Sequence, residues 1–367
     1  MENIIPFKIQ EKSRHIKYDD PISKSANLDY HSLLYMTRNV CLEWLFFLNN
    51  LYQGEKEIMK MEVLGVSSYE KAGQQNYGDC IIVDNGNELL IYDCGSEEHA
   101  KVVETYMEKN GYENAIFVLS HNDDDHFEGL NYLLEQGKIS EIWTTLLLKY
   151  KQDILDAIGD GRKNKNALTD QILELFDNIA SLSGENLKDV YEDGGIGFEV
   201  IDGVSIAGPD KEYMIERVAA KALDTTEGDQ IDKESITNAM SVQLEVKISE
   251  HKVLLTGDSS YEGIKNNLAD HDVIQLPHHG KQEQADKIFE EKDSETDTIY
   301  LVSDNTGNSN GGSDNMMKNS AKSHIVWNTK EKGTLKISDI NLKHTIAGTG
   351  RKLGGWSESF IAGFGRN

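Results

Sequence analysis

"VLSHNDDDHFEGL", residues 118–130, follows a short apolar run with three consecutive aspartates set between two histidines. Like charges at close range repel, and carboxylates buried without a counter-charge are prohibitively costly, so Asp123, Asp124 and Asp125 need water or a cation beside them. The flanking histidines point to a metal. His121, Asp123, Asp125 and His126 offer two imidazoles and two carboxylates, the nitrogen and oxygen donors that zinc, manganese or iron accept. Standing alone, the segment reads more simply as a solvated acidic loop. Two further segments change that reading. "LLTGDSS" (254–260) puts Asp258 directly after a predicted strand at 253–255, and "IQLPHHGK" (274–281) puts His278 and His279 after another at 273–276. Three strand ends therefore each deliver metal-type donors, at the kind of position where layered folds carry their chemistry.

The whole chain sets the frame for this cluster. Its 367 residues, 38% of them hydrophobic, suffice for one large or two ordinary domains with a real core. A formal net charge of −26 opposes long-range attraction to nucleic acid or anionic membranes, although a local basic patch could still bind either. The three cysteines, Cys41, Cys80 and Cys94, form no CxxC pair, so neither a disulfide framework nor a cysteine zinc site is indicated. The first residues lack the apolar core of a signal peptide. The most apolar later run, from Cys41 to Leu48, is interrupted by Glu43 and is too short to span a bilayer. These features predict a cytoplasmic protein without a membrane segment.

Three regions are expected. Residues 1–58 form an N-terminal extension, partly helical, in which Leu34, Tyr35, Val40, Trp44, Phe47, Leu48 and Leu51 recur at helical spacing; that stripe packs on the main domain or on a partner. Residues 59–340 form the main domain, with short strands separated by turns and a helical insertion at about 150–195 carrying Ile172, Leu175, Phe176, Ile179 and Leu182 on one face. Residues 341–367 are a glycine-rich tail, whose "GTGRKLGG" fits no phosphate-binding loop. Within the main domain, "DNGN" (84–87) joins two strands as a hairpin. Ser96 caps a helix whose inner face is Val102, Val103 and Tyr106 and which stops at Asn110-Gly111.

"SHNDDDHFEGL", "LLTGD" and "LPHHG", in this order, resemble the metallo-β-lactamase-fold hydrolases. They are most similar to the branch with His-x-Asp-x-Asp-His in place of His-x-His-x-Asp-His, which includes the soluble domain of the DNA-uptake protein ComEC and the phosphorylcholine esterases. "YGDCIIV" (77–83), "LLIYDCG" (89–95) and "NAMSVQLEV" (238–246) extend the match over roughly residues 61–340. The resemblance implies an α/β (α+β) chain folded as a four-layer αββα sandwich, here with an N-terminal helical extension. It implies a two-metal site: His121 and Asp123 on the first metal, Asp125, His126 and His279 on the second, and Asp258 bridging them. One carboxylate can hold two cations at the roughly 3.5–4 Å separation at which both grip a water and a phosphoryl oxygen. Asn238 stands in the region where many members of the fold carry a further histidine, which makes the first metal's ligands oxygen-rich and manganese as fitting as zinc. The histidine-proline that the ComEC-like branch tends to carry after the predicted strand at 298–302 is absent; "SDNTGNSNGGSDNMM" stands there instead.

The implied chemistry is hydrolysis by a hydroxide held between two divalent ions, with Asp125 in the catalytic centre and His278 contacting the phosphoryl oxygen or protonating the leaving group. The expected substrate is a phosphodiester, nucleic acid included, because the resembled branch is rich in phosphodiesterases and nucleases. Asn238 and a basic cluster of Lys149, Lys151, Arg162, Lys163 and Lys165 are the candidates for binding it, the cluster reading otherwise as a solvated loop. Two alternatives stay open: hydrolysis of a small ester, lactam or thioester, and a partner-dependent effector or self-associating subunit docked through residues 1–58.

Overall fold

The structure, a computed structural model, describes residues 59–66, 77–158, 168–170, 172–173, 182, 186–220, 232–292, 297–306 and 312–348. The expectations for residues 1–58, for Arg162, Lys163 and Lys165, for Leu175, Phe176 and Ile179, and for the tail beyond 348 lie outside the described residues. The first part of the chain forms β1 (Lys60–Val63), β2 (Cys80–Asp84), β3 (Leu89–Cys94), β4 (Ala115–Val118), β5 (Ile139–Thr144) and β6 (Leu187–Asp189). The second part forms β7 (Glu199–Ile201), β8 (Val204–Gly208), β9 (Gln243–Ile248), β10 (His251–Leu255), β11 (Val273–Gln275), β12 (Ile299–Val302), β13 (Ile325–Asn328) and β14 (Leu335–Ile337).

These strands build two seven-stranded mixed sheets, ordered β14-β1-β2-β3-β4-β5-β6 and β13-β12-β11-β10-β9-β8-β7. In the first, β14 to β3 pair antiparallel and β3 to β6 parallel; in the second, β7 to β10 pair antiparallel and β10 to β13 parallel. The apolar alternation along each strand sorts side chains between layers. Ile81, Val83, Leu90 and Tyr92 join Val253, Leu255, Val273, Ile299 and Leu301 between the sheets. Cys80, Ile82, Leu89 and Ile91 turn outward against Ala100, Val103, Leu130 and Leu133 of α1 (Glu97–Asn110) and α2 (Asp124–Glu135). Leu254, Ile274, Tyr300 and Val302 turn outward against Ala285, Ile288 and Phe289 of α3 (Gln282–Glu291). Central strands buried on both faces read as unbroken apolar runs for this reason. The layers are helix, sheet, sheet, helix: the αββα sandwich that the motifs implied.

Local signals place the elements. Asp84 Oδ1 accepts from Gly86 N at 2.7 Å and Asn85 Oδ1 from Glu88 N at 2.7 Å, which closes the hairpin around Gly86 at φ 88°. Ser96 Oγ accepts from His99 N at 3.2 Å, and Gly111 at φ 81° ends the helix. Val103 is buried as expected, but Val102 faces solvent at 45% exposure, one step round the helix from the core stripe. The short β6, which has no alternation to mark it, is recruited only by pairing with β5. Among the described residues no helix is long and apolar enough to cross a membrane.

His99 sits buried in the first turn of α1 beside Tyr77, with ring centroids 6.3 Å apart, and burial pushes its pKa down to about 4. An unfolded histidine titrates near 6.5, so between pH 6.5 and 4 the unfolded chain takes a proton that the folded one refuses. Stability is therefore expected to fall as pH drops through that window, by on the order of 3 kcal/mol from this group. Denaturant unfolding of the wild type and His99→Leu at pH 7 and pH 4.5 checks it: the variant should lose less stability on acidification, and equal losses would show that His99 is not responsible.

Candidate metal centre

The carboxyl ends of β3, β4, β10, β11 and β12 lie along one edge of the sandwich, and each is followed by polar residues that enter the site. Cross-links between the sheets hold that edge closed. Tyr92 donates its hydroxyl proton to Val242 O at 2.6 Å, Val242 N donates to Ser120 O at 2.9 Å, and Gln275 Nε2 donates to Asp79 Oδ2 at 2.8 Å.

After β4 the chain presents His121 and then enters α2 through Asp123. The acidic run is thus a helix start rather than a loop, with Asp124 and Asp125 in the first turn, where the helix dipole favours anions. Asp123 makes no side-chain cap bond; its Oδ2 lies 3.6 Å from His121 Nε2. Asp124 is exposed, while Asp125 turns inward with Oδ2 at 3.0 Å from His279 Nε2. The close seat of α2 depends on two glycines: a Cβ on Gly78 or Gly95 would stand 1.6 or 1.9 Å from Asp125 O. Gly78 and Gly95 thus let Asp79 N donate to that carbonyl at 3.0 Å.

After β10, the tight turn at Gly257, φ 53°, presents the buried Asp258. Its Oδ1 lies 3.4 Å from His126 Nε2 and its Oδ2 4.0 Å from His121 Nε2. After β11, Pro277 leads into three successive left-handed residues, His278 (φ 52°), His279 (φ 54°) and Gly280 (φ 81°). Two non-glycine residues in that region carry local strain of the kind found at functional sites. The strain sets the two rings at 76° to each other, with His279 buried inside and His278 at the rim.

Every imidazole of the centre is tied at Nδ1 and faces the others with Nε2. His126 Nδ1 donates to Asp93 Oδ2 at 2.8 Å, and His279 Nδ1 to Asp79 Oδ1 at 3.0 Å and Ser303 O at 3.1 Å. Ser120 Oγ donates to Asp93 Oδ2 at 2.6 Å and so accepts from His121 Nδ1 at 3.0 Å. The lone pairs left on Nε2 converge. His121 Nε2, His126 Nε2 and Asp258 Oδ1 are buried without a hydrogen-bond partner. Orphaned acceptors of this kind are costly unless something else satisfies them. Among the described residues three groups lie close enough to hold an ion: His121, His126 and Asp258; Asp125, His126 and His279; and Asp79, Asp258 and His279. The donor set and its carboxylate-backed histidines fit divalent metal.

Charge balance supports the same conclusion. Burial drives Asp258 and Asp125 toward neutrality, yet the imidazoles around them outweigh it: His126, His278 and His279 hold Asp258 well below the usual carboxylate range, and His126 and His279 do so for Asp125. Reciprocally, burial opposes charge on His126 and His279, but Asp258 with Asp93, and Asp79 with Asp258, raise them well above an ordinary histidine. The same buried carboxylates would draw divalent cations to the centre.

All the histidines and carboxylates expected at the site, His121, Asp123, Asp125, His126, Asp258, His278 and His279, meet at this edge, and Asn238 joins them with Nδ2 at 3.4 Å from Asp258 Oδ2. Lys149 does not: its ammonium pairs with Glu192 at 3.1 Å and Asp193 at 3.5 Å. Sequence reasoning assigned no part to Asp79, Asp93, Ser120 or Glu234, nor to Ser241, whose Oγ lies 3.3 Å from His121 Nδ1 and accepts from Asp258 N at 3.2 Å. The available signal was the position of Asp79 directly after Gly78 and of Asp93 two residues before Gly95, at the edges of β2 and β3, in "YGDC" and "YDCG".

No protein-family model matches the chain, and no curated protein matches it in sequence. Among solved structures it is similar to the metallo-β-lactamase fold protein YhfI from Bacillus subtilis, with 13% identity, a TM-score of 0.42, and coverage of 76% of this chain and 100% of that one. It is also similar to Igni18, a metallo hydrolase from the hyperthermophilic archaeon Ignicoccus hospitalis, with 12% identity, a TM-score of 0.37, and coverage of 76% and 99%. A diphosphatase from the PhnP family is 11% identical, with a TM-score of 0.39 and coverage of 76% and 97%. On its own topology and site, the chain is an αββα sandwich with a histidine and aspartate cluster able to bind divalent metal where its two sheets meet.

If metal binds the native centre alone, chelation should destabilise the protein. Each ion held at a hundred times its Kd contributes about 2.7 kcal/mol. Thermal melts with and without chelator check this, and superimposable curves would mean that the cluster holds no ion.

Proposed function

We propose that this chain is a two-metal hydrolase of phosphodiesters, of the His-x-Asp-x-Asp-His branch of the metallo-β-lactamase fold. The observation that carries the reading is the convergence of unpartnered His121 Nε2, His126 Nε2 and Asp258 Oδ1 beside the carboxylates of Asp123 and Asp125. His121, Asp123 and Asp258 would hold one ion, and Asp125, His126, His279 and the shared Asp258 the other. When bound, zinc or manganese ions at such a centre activate water near neutral pH and stabilise charge on a phosphoryl oxygen.

The chain's own residues supply the rest. Asp93 and Asp79 fix the tautomers of His126 and His279 from behind, so that Nε2 is the donor atom in each. His278 stands apart from the donor clusters, with Nε2 3.9 Å from Asp258 Oδ2 at the rim, where a leaving oxygen could take the Nε2 proton of the doubly protonated ring while Nδ1–H stays on Glu234. Asn238, next to both Asp258 and His278, can donate to a phosphoryl oxygen. The carboxylate-rich donor set favours hard oxygen ligands over sulfur or nitrogen ones.

The test is hydrolysis by metal-free protein reconstituted with zinc or manganese. Bis(p-nitrophenyl) phosphate, a dinucleotide, single- and double-stranded DNA and RNA, a p-nitrophenyl ester, a lactam and a thioester form the panel. Diester cleavage that depends on metal and exceeds that of the other classes is expected. Turnover of the ester, lactam or thioester with inert diesters would replace the phosphodiester reading.

A further inference from the structure

Glu234 is a buried carboxylate that the metal cluster does not use, and it lies behind His278. Its Oε2 accepts from His278 Nδ1 at 2.7 Å, and its Oε1 accepts from Lys281 Nζ at 2.9 Å and Gln284 Nε2 at 2.9 Å. Only 1% of the residue is exposed. An isolated ionised carboxylate at that depth would be prohibitive, and these three donors make it tolerable. The surrounding segment is stapled to the start of α3 at helical spacing. Lys281 Nζ also donates to Lys233 O at 3.1 Å, Gln284 Nε2 to Asp232 O at 2.9 Å, and Lys287 pairs with Asp232. Glu234 is therefore held on a wall whose position α3 dictates, and Ser235, whose hydroxyl accepts from Asn238 N at 3.1 Å, carries that wall on to Asn238.

We infer that Glu234 is a positioning residue: it accepts the Nδ1 proton of His278 and so turns Nε2, which carries the proton a leaving oxygen takes, toward Asp258 and the substrate side. The device repeats what Asp93 and Asp79 do for His126 and His279, with one difference. Those rings belong to donor groups that could hold an ion, whereas among the described residues no such group includes His278. A backing carboxylate on a ring that holds no metal orients a proton-transfer group instead, as an acidic partner does for a catalytic histidine. The bond to Glu234, 44 residues away at 2.7 Å, is shorter than the ring's contacts with Asn238 at 3.4 Å and Asp258 at 3.9 Å, and it fixes the rotation of the ring.

The inference rests on the hydrolase reading for its consequence in catalysis, but the ring geometry is measurable without turnover. In zinc-loaded protein, nitrogen NMR of the imidazoles should show His278 protonated at Nδ1. Glu234→Ala should shift that ring toward the Nε2-protonated form, and Glu234→Gln, whose amide oxygen can still accept, should keep the wild-type pattern. With the dinucleotide, whose alkoxide leaves poorly, Glu234→Ala should lower kcat by about 10–100-fold with KM unchanged. With bis(p-nitrophenyl) phosphate the loss should nearly vanish, and Glu234→Ala should add nothing to His278→Ala. An unchanged His278 spectrum in Glu234→Ala overturns the inference whatever the rates do. If the wild type hydrolyses no diester, the hydrolase reading falls and the spectrum alone decides the positioning.

Discussion

Asp258→Ala protein is expected to purify with neither metal ion, while other single ligand variants lose at most one. The reason is placement: Asp258 is the carboxylate that lies between His121 on one side and His126 with His279 on the other, and its two oxygens can each face one ion. A carboxylate shared by two cations serves both, so its removal weakens both. The melting temperature should drop to that of chelated wild type, and chelator should have no further effect on the variant. Elemental analysis of the purified variant measures the occupancy directly. Two ions per chain retained in Asp258→Ala would show that it does not bridge, and loss of one ion alone would assign it to a single site.

The adjacent histidines should separate cleanly. His279→Ala is expected to lose metal, stability and rate together, because its ring lies inside, within reach of Asp125 and backed by Asp79. His278→Ala is expected to keep both ions and a near-native melting temperature while kcat falls by about 10²–10⁴-fold, the range for removing a general acid. The loss should shrink for substrates with good leaving groups, which need little protonation. The structure supports this division: His278 is a quarter exposed at its side chain and bonded to Glu234, whereas the His279 side chain is 3% exposed. Metal loss in His278→Ala with full occupancy in His279→Ala would exchange the two roles.

Much of this centre was legible before any fold was known, because its signals are local. Histidine and aspartate at short spacing are recognisable by donor chemistry alone. Apolar runs before Ser120, Thr256 and Pro277 announce strands, and the polar residues just past each run must then sit at a strand end. The αββα architecture was implied by the resemblance that the motifs carry, and the strand positions came from runs of β-branched residues between turns. Misreadings had equally local causes. The acidic run looked like a loop because aspartates suit loops, yet at a helix N-terminus the dipole stabilises the same residues. Lys149 looked free for a polyanion, but it pairs with Glu192 and Asp193, which no local pattern links to it; Arg162, Lys163 and Lys165 lie outside the described residues.

What the sequence determined by itself was the identity of the donors and the strand ends that carry them, since both depend on neighbours within a few residues. What only the tertiary structure decided was which carboxylate stands behind which imidazole. Asp93 meets His126 across 33 residues, Glu234 meets His278 across 44, and Asp79 meets His279 across 200. The last of these joins the two sheets, from the start of β2 to the residues after β11, and the sheets touch only because each buries its apolar face against the other. The hydrophobic contact that brings them together is non-directional, so no spacing along the chain encodes it. Register, and the glycines that allow α2 to press against Gly78 and Gly95, then select the partners atom by atom.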